Sequence, residues 1–138
     1  MKIKEVMTKK PHIIQENNTI IEAAQKMKAW GCGIFPVENS QYISGVITDR
    51  DIIIRAVASE KNLKKTLVKN IMTKEIDFCD KDELLKNVIW KMNHYNRRRV
   101  LIKDKDHPLL GILSLTDIIK RVDNKHLLTN LLKEYNTN

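Results

Sequence analysis

The sequence predicts an α+β fold: two β-α-β-β-α repeats packed about a pseudo-two-fold axis, with a helix at the C-terminal end. Three segments carry this prediction because they recur along the chain at nearly constant spacing. VMTK at residues 6–9 returns as IMTK at 71–74, KM at 26–27 returns at 91–92, and GVITDRDI at 45–52 returns as GILSLTDI at 111–118. A period of this length corresponds to a whole supersecondary unit, so any polar motif within it is present twice.

The first copy shows strand and helix signals in the order of the predicted unit. Residues 12–14 form a short apolar strand, and Thr19 begins a helix because Thr-x-x-Glu is the pattern of a capping box. Gly31 ends that helix, since glycine readily adopts the left-handed conformation of a C-terminal cap. The remaining elements are strands at 34–37 and 42–47 and a second helix at 49–58, whose periodicity turns Ile52, Ile53 and Ala56 inward.

The second copy follows the same plan and sets the expected domain boundaries. Its elements are a strand at 76–79, a helix at 83–94, strands at 99–103 and 109–113, and a helix at 115–122. We expect repeat 1 at residues 1–62, repeat 2 at 63–124 and a helical tail at 125–138. The tail has an apolar side formed by four leucines, and it can cover the repeats or contact another subunit.

Composition favours a globular domain and argues against several other classes. Hydrophobic residues make up 42% and charged residues 30% of the chain, the usual balance of such domains. Neither a signal peptide nor an apolar run of about 18 residues is present, so we expect a cytoplasmic protein without a membrane partner. Cys32 and Cys79 form no CxxC motif, and the four histidines lack metal-ligand spacing and a neighbouring nucleophile. We therefore expect neither a metal site nor an enzyme.

The net charge of +8 raises the alternative of a nucleic-acid-binding protein. The charge is shared evenly between residues 1–65 and 66–138, so there is no basic tail. The sequence also lacks a helix-turn-helix signature and an aromatic platform for stacking bases. The cluster Arg97, Arg98 and Arg99 enters a strand and alternates between its two faces. It forms either a solvated edge or a group of guanidiniums that reach phosphates.

The segment that is duplicated most clearly places a hydroxyl and an acid at a strand-to-helix junction. Thr48 and Asp51 in the first copy correspond to Ser114 and Asp117 in the second. A helix start presents free N–H groups that favour a phosphate, and an ionised carboxylate can accept both hydroxyls of a ribose. The same spacing is also that of a capping box, which satisfies a helix start without any ligand. On the spacing alone both interpretations stay open. The duplicated context and the family resemblance given next favour a site that caps the helix when empty and binds a ligand when filled.

Together these motifs resemble a tandem pair of CBS domains, also called a Bateman module. The resemblance rests on VMT at 6–8, IMT at 71–73, FPV at 35–37 and the Gly-x-x-[Ser/Thr]-x-x-Asp segment in both copies. It covers about residues 1–123 and is greatest to small stand-alone CBS-pair proteins. The second copy departs from the family pattern at two positions, where Leu101 replaces a proline and Arg97 replaces an apolar residue.

The resemblance implies a regulatory module that binds AMP, ADP, ATP, NAD or S-adenosylmethionine in two clefts between the repeats. It also implies a homodimer and an effector protein that the sequence does not identify. Carried over residue by residue, cleft one would contain Thr48, Arg50, Asp51, Ile76, Asp77, Phe78, Arg98 and Arg99. Cleft two would contain Ser114, Thr116, Asp117, His12, Ile13, Ile34, Phe35 and Pro36. Because cleft two has Gly33 and Ile34 where cleft one has arginines, we expect cleft one to prefer the more highly charged ligand.

Overall fold

The structure, a computed structural model, describes residues 1–129 and contains the strands and helices of both predicted copies. The strands are β1 (Thr8–Lys9), β2 (Ile14–Gln15), β3 (Ile34–Glu38), β4 (Ile43–Thr48), β5 (Phe78–Asp80), β6 (Arg99–Lys103) and β7 (Gly111–Ser114). The α-helices are α1 (Ile20–Trp30), α2 (Asp49–Asp51), α3 (Val68–Ile71), α4 (Leu85–His94) and α5 (Leu115–Arg121). A 3-10 turn spans Ile3–Glu5, and a π-helical segment, Ile52–Val57, continues α2.

The predicted C-terminal tail is described only in part. Residues 125–129 are helical, whereas the rest of the helix predicted at 125–138 lies outside the described residues. None of the helices in the described part of the chain is long and apolar enough to cross a membrane.

The chain divides into two compact units, which we describe separately. The first unit is Pro11–Ile76, and the second consists of residues 1–10 together with the described residues from Asp77 onward. The units therefore differ from the sequence repeats at their N-terminal segments: VMT at 6–8 lies in the second unit and IMT at 71–73 in the first. The repeat boundaries 1–62 and 63–124 stay predictions about the sequence.

The first unit is a three-stranded sheet covered by helices. The strand order is β2-β3-β4, with β2 parallel and β4 antiparallel to β3. Helix α1 begins and ends as predicted: Thr19 Oγ1 accepts a hydrogen bond from the Glu22 N–H at 3.2 Å, and Gly31 is left-handed with φ 63°. The core of this unit consists of Ile14, Ile20, Ala23, Phe35, Val37, Ile47, Ile52, Ala56, Val68, Ile71 and Met72.

The second unit repeats this topology with one additional strand. Its order is β1-β7-β6-β5, in which β5 is parallel to β6 and the other neighbours are antiparallel. Its core consists of Ile3, Val6, Cys79, Leu85, Val88, Ile89, Met92, Val100, Ile102, Leu113, Ile118 and Val122. The predicted α+β class with duplicated units is thus confirmed.

In both units the Met-Thr segment lies against the strand that contains the repeated glycine. In the first unit, Val46 and Thr73 exchange backbone hydrogen bonds of 2.9 and 2.8 Å. In the second, Thr8 is the antiparallel partner of Ile112. A Cβ atom on Gly45 would lie 2.7 Å from the Thr73 carbonyl oxygen, and one on Gly111 would lie 2.7 Å from that of Thr8. Each glycine is therefore required because the two backbones approach so closely.

An arginine also attaches each Met-Thr segment to its unit. Arg55 donates from Nη1 to the carbonyl oxygens of Ile71 at 3.0 Å and Met72 at 3.2 Å. Arg121 donates to the Val6 carbonyl at 2.8 Å and to Thr8 Oγ1 at 3.1 Å. The two arginines lie 66 positions apart, which is also the spacing between the repeated segments 45–52 and 111–118.

The helix predicted at 49–58 differs from the expectation in its winding and its buried face. After the three residues of α2 it becomes π-helical, and the Ala58 N–H donates to the Ile53 carbonyl at 2.8 Å, five residues earlier. Ile52 and Ala56 are buried, as predicted, but Ile53 is 61% exposed. The prediction that Ile53 faces the core was wrong. It assumed the regular α-helical period, whereas a π-helical turn contains more residues and places their side chains differently.

Alanine in place of Gly45 tests the close approach of the two backbones. We expect Gly45→Ala to lower the free energy of unfolding by about 1–3 kcal/mol, because the new methyl group meets a carbonyl oxygen that cannot move aside. Urea denaturation measures this as a lower midpoint at unchanged slope. The exposed Ser40→Ala serves as the control and should lie within about 0.5 kcal/mol of the wild type. Equal midpoints for Gly45→Ala and Ser40→Ala would contradict this account.

Replacement of Arg55 by methionine tests the attachment of residues 71–73. We expect Arg55→Met to cost about 1–2 kcal/mol, because two carbonyl oxygens lose a charged donor while the aliphatic packing is kept. The exposed Arg50→Met changes the net charge equally and is the control. Thermal denaturation of both variants measures the loss of stability. A larger loss of stability for Arg50→Met than for Arg55→Met would be inconsistent with the structure.

Candidate functional site

The predicted hydroxyl and acid of the first unit form a closed capping box. The Asp51 N–H donates to Thr48 Oγ1 at 3.1 Å, and the Thr48 N–H donates to Asp51 Oδ2 at 3.1 Å. Thr73 Oγ1 also donates to Asp51 and lies 3.3 Å from each carboxylate oxygen. Arg55 Nη1 lies 3.9 Å from Asp51 Oδ1. The Asp51 side chain is consequently only 12% exposed.

The second unit contains the same box with a different arrangement around the acid. The Asp117 N–H donates to Ser114 Oγ at 3.0 Å, and the Ser114 N–H donates to Asp117 Oδ2 at 3.0 Å. Arg121 Nη2 lies 3.4 Å from Asp117 Oδ1, and the side chain of Asp117 is 19% exposed. Here the arginine, which also donates to Thr8, bridges the acid and the Met-Thr segment.

Sequence reasoning missed three residues that surround these acids: Arg55, Arg121 and Thr73. A signal for the arginines was present, because Asp-x-x-x-Arg occurs at the same place in both copies and residues four apart meet on a helix. Thr73 was used only as evidence of a repeat. The contact that it makes depends on tertiary structure and has no local signature.

Of the other predicted residues in the first unit, the structure places Ile34 and Arg50 beside the capping box. Ile34 is the direct strand partner of Thr48, and Arg50 is exposed one position before Asp51. Phe35 and Pro36 are buried, so their backbones rather than their side chains can contact a ligand. His12 is exposed and stacks on the Trp30 ring at a centroid distance of 4.1 Å. Ile13 and Ile76, also predicted for the site, are both half-buried.

In the second unit, the predicted arginines lie beside the Ser114 box. Arg99 is the strand partner of Ser114, and the Arg98 carbonyl accepts a hydrogen bond from the Leu115 N–H at 3.0 Å. Both arginines and Thr116 are exposed. The two predicted clefts each combine residues of both units, and that combination stays a prediction. Within the units, Thr48 is next to Ile34 and Ser114 is next to Arg99.

The two boxes differ in charge at several matching positions. In the first unit, Gly33 allows the Asp49 carboxylate to pack so closely that a Cβ atom at Gly33 would lie 2.6 Å from it. The second unit has Arg98 and Leu115 at the corresponding positions. The exposed Arg50, which has Thr116 as its counterpart, balances the charge of Asp49 in the first unit, whereas Arg98 and Arg99 give the second box additional positive charge.

Two further predicted residues, Asp77 and Phe78, line a cavity of about 90 Å³ in the second unit. Its other lining residues are Cys79, Lys91, Met92, Tyr95, Arg97 and Val100. Arg97 Nε donates to Asp77 Oδ2 at 2.7 Å, so that arginine is held at the cavity. Burial is the main cause that raises the pKa of the Cys79 thiol to about 11, so it is protonated and unreactive at neutral pH. The cavity is far smaller than a typical pocket for a whole nucleoside.

The chemistry available at the two boxes is recognition of a polar ligand. Each box presents carboxylate oxygens as acceptors and a hydroxyl whose oxygen accepts from the backbone, which leaves its proton to be donated. Within residues 1–129 there is no group of three or more His, Cys, Asp or Glu side chains placed to hold a metal ion.

Comparison with known proteins identifies the family to which the chain belongs. The CBS domain-containing protein YhcV of Bacillus subtilis is 32% identical over 116 residues, which are 84% of this chain and 81% of that protein. The solved CBS domain protein TA0289 of Thermoplasma acidophilum has the same fold, with a TM-score of 0.81 at 21% identity over 99% of this chain and 77% of that one.

A second solved structure is the CBS domain pair of protein MJ0100, determined in complex with methylthioadenosine and S-adenosyl-L-methionine. It is 27% identical, with a TM-score of 0.75 over 87% of this chain and 94% of that chain. The sequence model of the CBS domain family matches residues 3–57 and 68–124. The chain thus belongs to the CBS domain family and contains two CBS domains.

Proposed function

We propose that this CBS pair is a regulatory module that binds an adenosine-containing ligand at the Thr48–Asp51 and Ser114–Asp117 boxes. The observation that carries the proposal is the duplicated, half-buried acid beside a hydroxyl at a helix start, in both units. The CBS pair of MJ0100, at 27% identity, is a complex with two adenosine compounds, which supports this class of ligand. AMP, ADP, ATP, NAD and S-adenosylmethionine are the candidates.

The proposed roles follow from the chemistry of each group. Asp51 and Asp117 accept hydrogen bonds from the two ribose hydroxyls, because a carboxylate is an acceptor at both oxygens. Thr48 and Ser114 donate their hydroxyl protons to a phosphate or to another polar group of the ligand. Ile34, which lies next to Thr48 on the sheet, supplies apolar surface for the base. The backbones of the buried Phe35 and Pro36 can read the edge of the base.

Ligand binding acts as a signal only when it favours one conformation over another. A ligand shifts such an equilibrium by the difference between its affinities for the two states. We propose that the occupied boxes change the conformation seen by an effector protein, and that the module works as a homodimer in the cytoplasm. We propose a regulatory and not a catalytic role.

The charges around the boxes support different ligand preferences. Arg98 and Arg99 are exposed and close to the Ser114 box, and a guanidinium binds phosphate oxygens in a bidentate manner. Beside the Thr48 box, the negative charge of Asp49 is balanced by the positive charge of the exposed Arg50. Ligands with several phosphates should therefore depend on Arg98 and Arg99, whereas a ligand of low charge should not.

A thermal-shift titration with the five candidate ligands tests the proposed function. A true ligand at about 100 times its Kd should raise the melting temperature by about 10 °C, because it binds only the folded state. Asp51→Ala or Asp117→Ala should remove most of that rise, and the exposed Asp123→Ala should keep it. The rise is compared within each variant, since loss of a cap lowers the melting temperature by itself. The proposal fails if none of the five ligands shifts the wild-type protein.

Titration calorimetry with ATP and S-adenosylmethionine tests the role of the arginines. The double variant R98A/R99A should bind ATP about tenfold or more weakly, because a charged hydrogen bond to phosphate contributes about 1.5–3 kcal/mol. Its affinity for S-adenosylmethionine, which has no phosphate, should change less than threefold. Replacement of two exposed lysines, K64A/K65A, removes the same net charge and serves as the control. Unchanged ATP affinity in R98A/R99A would refute the assignment.

A further inference from the structure

The two acids are held by different partners, although a matching threonine and a matching arginine lie near the acid in both units. The Asp51 carboxylate receives the Thr73 hydroxyl directly, at 3.3 Å from each oxygen. In the second unit, the hydroxyl of Thr8 instead accepts from Arg121 at 3.1 Å, and Arg121 makes the ion pair with Asp117. Thr73 and Thr8 occupy matching positions of the repeat, so the difference lies in the contacts and not in the residue type.

The Thr73 hydroxyl covers the atoms that the proposed ligand needs. Its single proton is shared by Oδ1 and Oδ2 of Asp51, and a ribose diol would use the same two oxygens. Asp51 Oδ2 already accepts from the Thr48 N–H at 3.1 Å, and only 12% of the side chain is exposed. The carboxylate therefore has little capacity for an additional pair of donors while Thr73 is in place.

The contact is also weak enough to be exchanged. A hydroxyl–carboxylate hydrogen bond is usually 2.5–2.7 Å long, whereas both distances here are 3.3 Å. Thr73 follows a segment that Arg55 holds through the Ile71 and Met72 carbonyls. When the hydroxyl leaves Asp51, these backbone contacts remain, and the residues after Met72 lose one side-chain attachment.

We infer that Thr73 sets the affinity of the Asp51 site, because its hydroxyl and the ligand's ribose compete for the same carboxylate. This inference rests on the proposed function. Occupancy of the Asp51 site then frees the Thr73 side chain, so the ligand loosens the end of the first unit. Occupancy of the Asp117 site does not displace the Thr8 hydroxyl directly, since Arg121 Nη2 lies between that hydroxyl and the acid, and Arg121 Nη1 also donates to the Val6 carbonyl.

Calorimetric titration of AMP and S-adenosylmethionine into matched variants tests this competition. Thr73→Val keeps the shape of the side chain and removes the hydroxyl, so it should bind the Asp51-dependent ligand about two- to fivefold more tightly, the range expected for loss of one weak hydrogen bond. Thr73→Ser, which retains the hydroxyl, should bind like the wild type. Thr8→Val is the matched control in the second unit and should leave that affinity unchanged. Weaker or unchanged binding by Thr73→Val would overturn the inference.

Hydrogen exchange without ligand separates failure of this inference from failure of the proposed function. The Thr73 amide donates to the Val46 carbonyl at 2.8 Å, and its exchange should be several-fold faster in Asp51→Ala than in the wild type. In Asp117→Ala, the amides of residues 6–10 should change by less. Equal acceleration of exchange at Thr73 and at residues 6–10 would contradict the inferred difference between the two acids. If the expected asymmetry appears but none of the five candidate ligands binds the wild-type protein, the proposed function is wrong and the competition is refuted with it.

Discussion

The structure of each unit depends on one carboxylate at the start of a helix. Asp51 and Asp117 each close a capping box with the preceding Thr48 or Ser114, and each lies near an arginine four residues later. That arginine also donates to backbone carbonyls of a Met-Thr segment. The carboxylate therefore connects the strand end, the helix start and the Met-Thr segment of its unit. A buried charge is tolerated only when it is paired and hydrogen-bonded. The same pairing keeps a preformed acceptor close to the surface, where a ligand can reach it.

The Met-Thr segments explain why the compact units do not follow the sequence repeats. Each segment pairs with the strand that contains Gly45 or Gly111, and each glycine leaves room for a carbonyl oxygen that a methyl group would strike. IMT at 71–73 therefore completes the first unit, although it opens the second copy in the sequence. A conformational change at the acid is thus next to residues that leave the unit, which is a suitable arrangement for a regulatory module.

Most of the fold could be predicted from local patterns, whereas the partners of the acids could not. The capping box at Thr19, the left-handed Gly31 and the strand at 99–103 were predicted correctly because their causes lie within a few residues. Ile53 was misplaced because a regular helical period does not describe a π-helical turn. The contact between Thr73 and Asp51 joins residues 22 positions apart, and sequence periodicity carries no information about such a contact. The residues of the boxes were identifiable because duplication distinguishes a motif from a chance spacing.

The most direct test of this account is a nuclear magnetic resonance titration of the backbone amides with AMP. The account predicts that the largest shift changes occur at the amides of Thr48 and Asp51, or of Ser114 and Asp117, since these N–H groups belong to the boxes that receive the ligand. It also predicts that the changes saturate with the affinity found by calorimetry. Changes confined to the lysine-rich residues 61–69, with the four box amides unmoved at saturating AMP, would contradict the central claim.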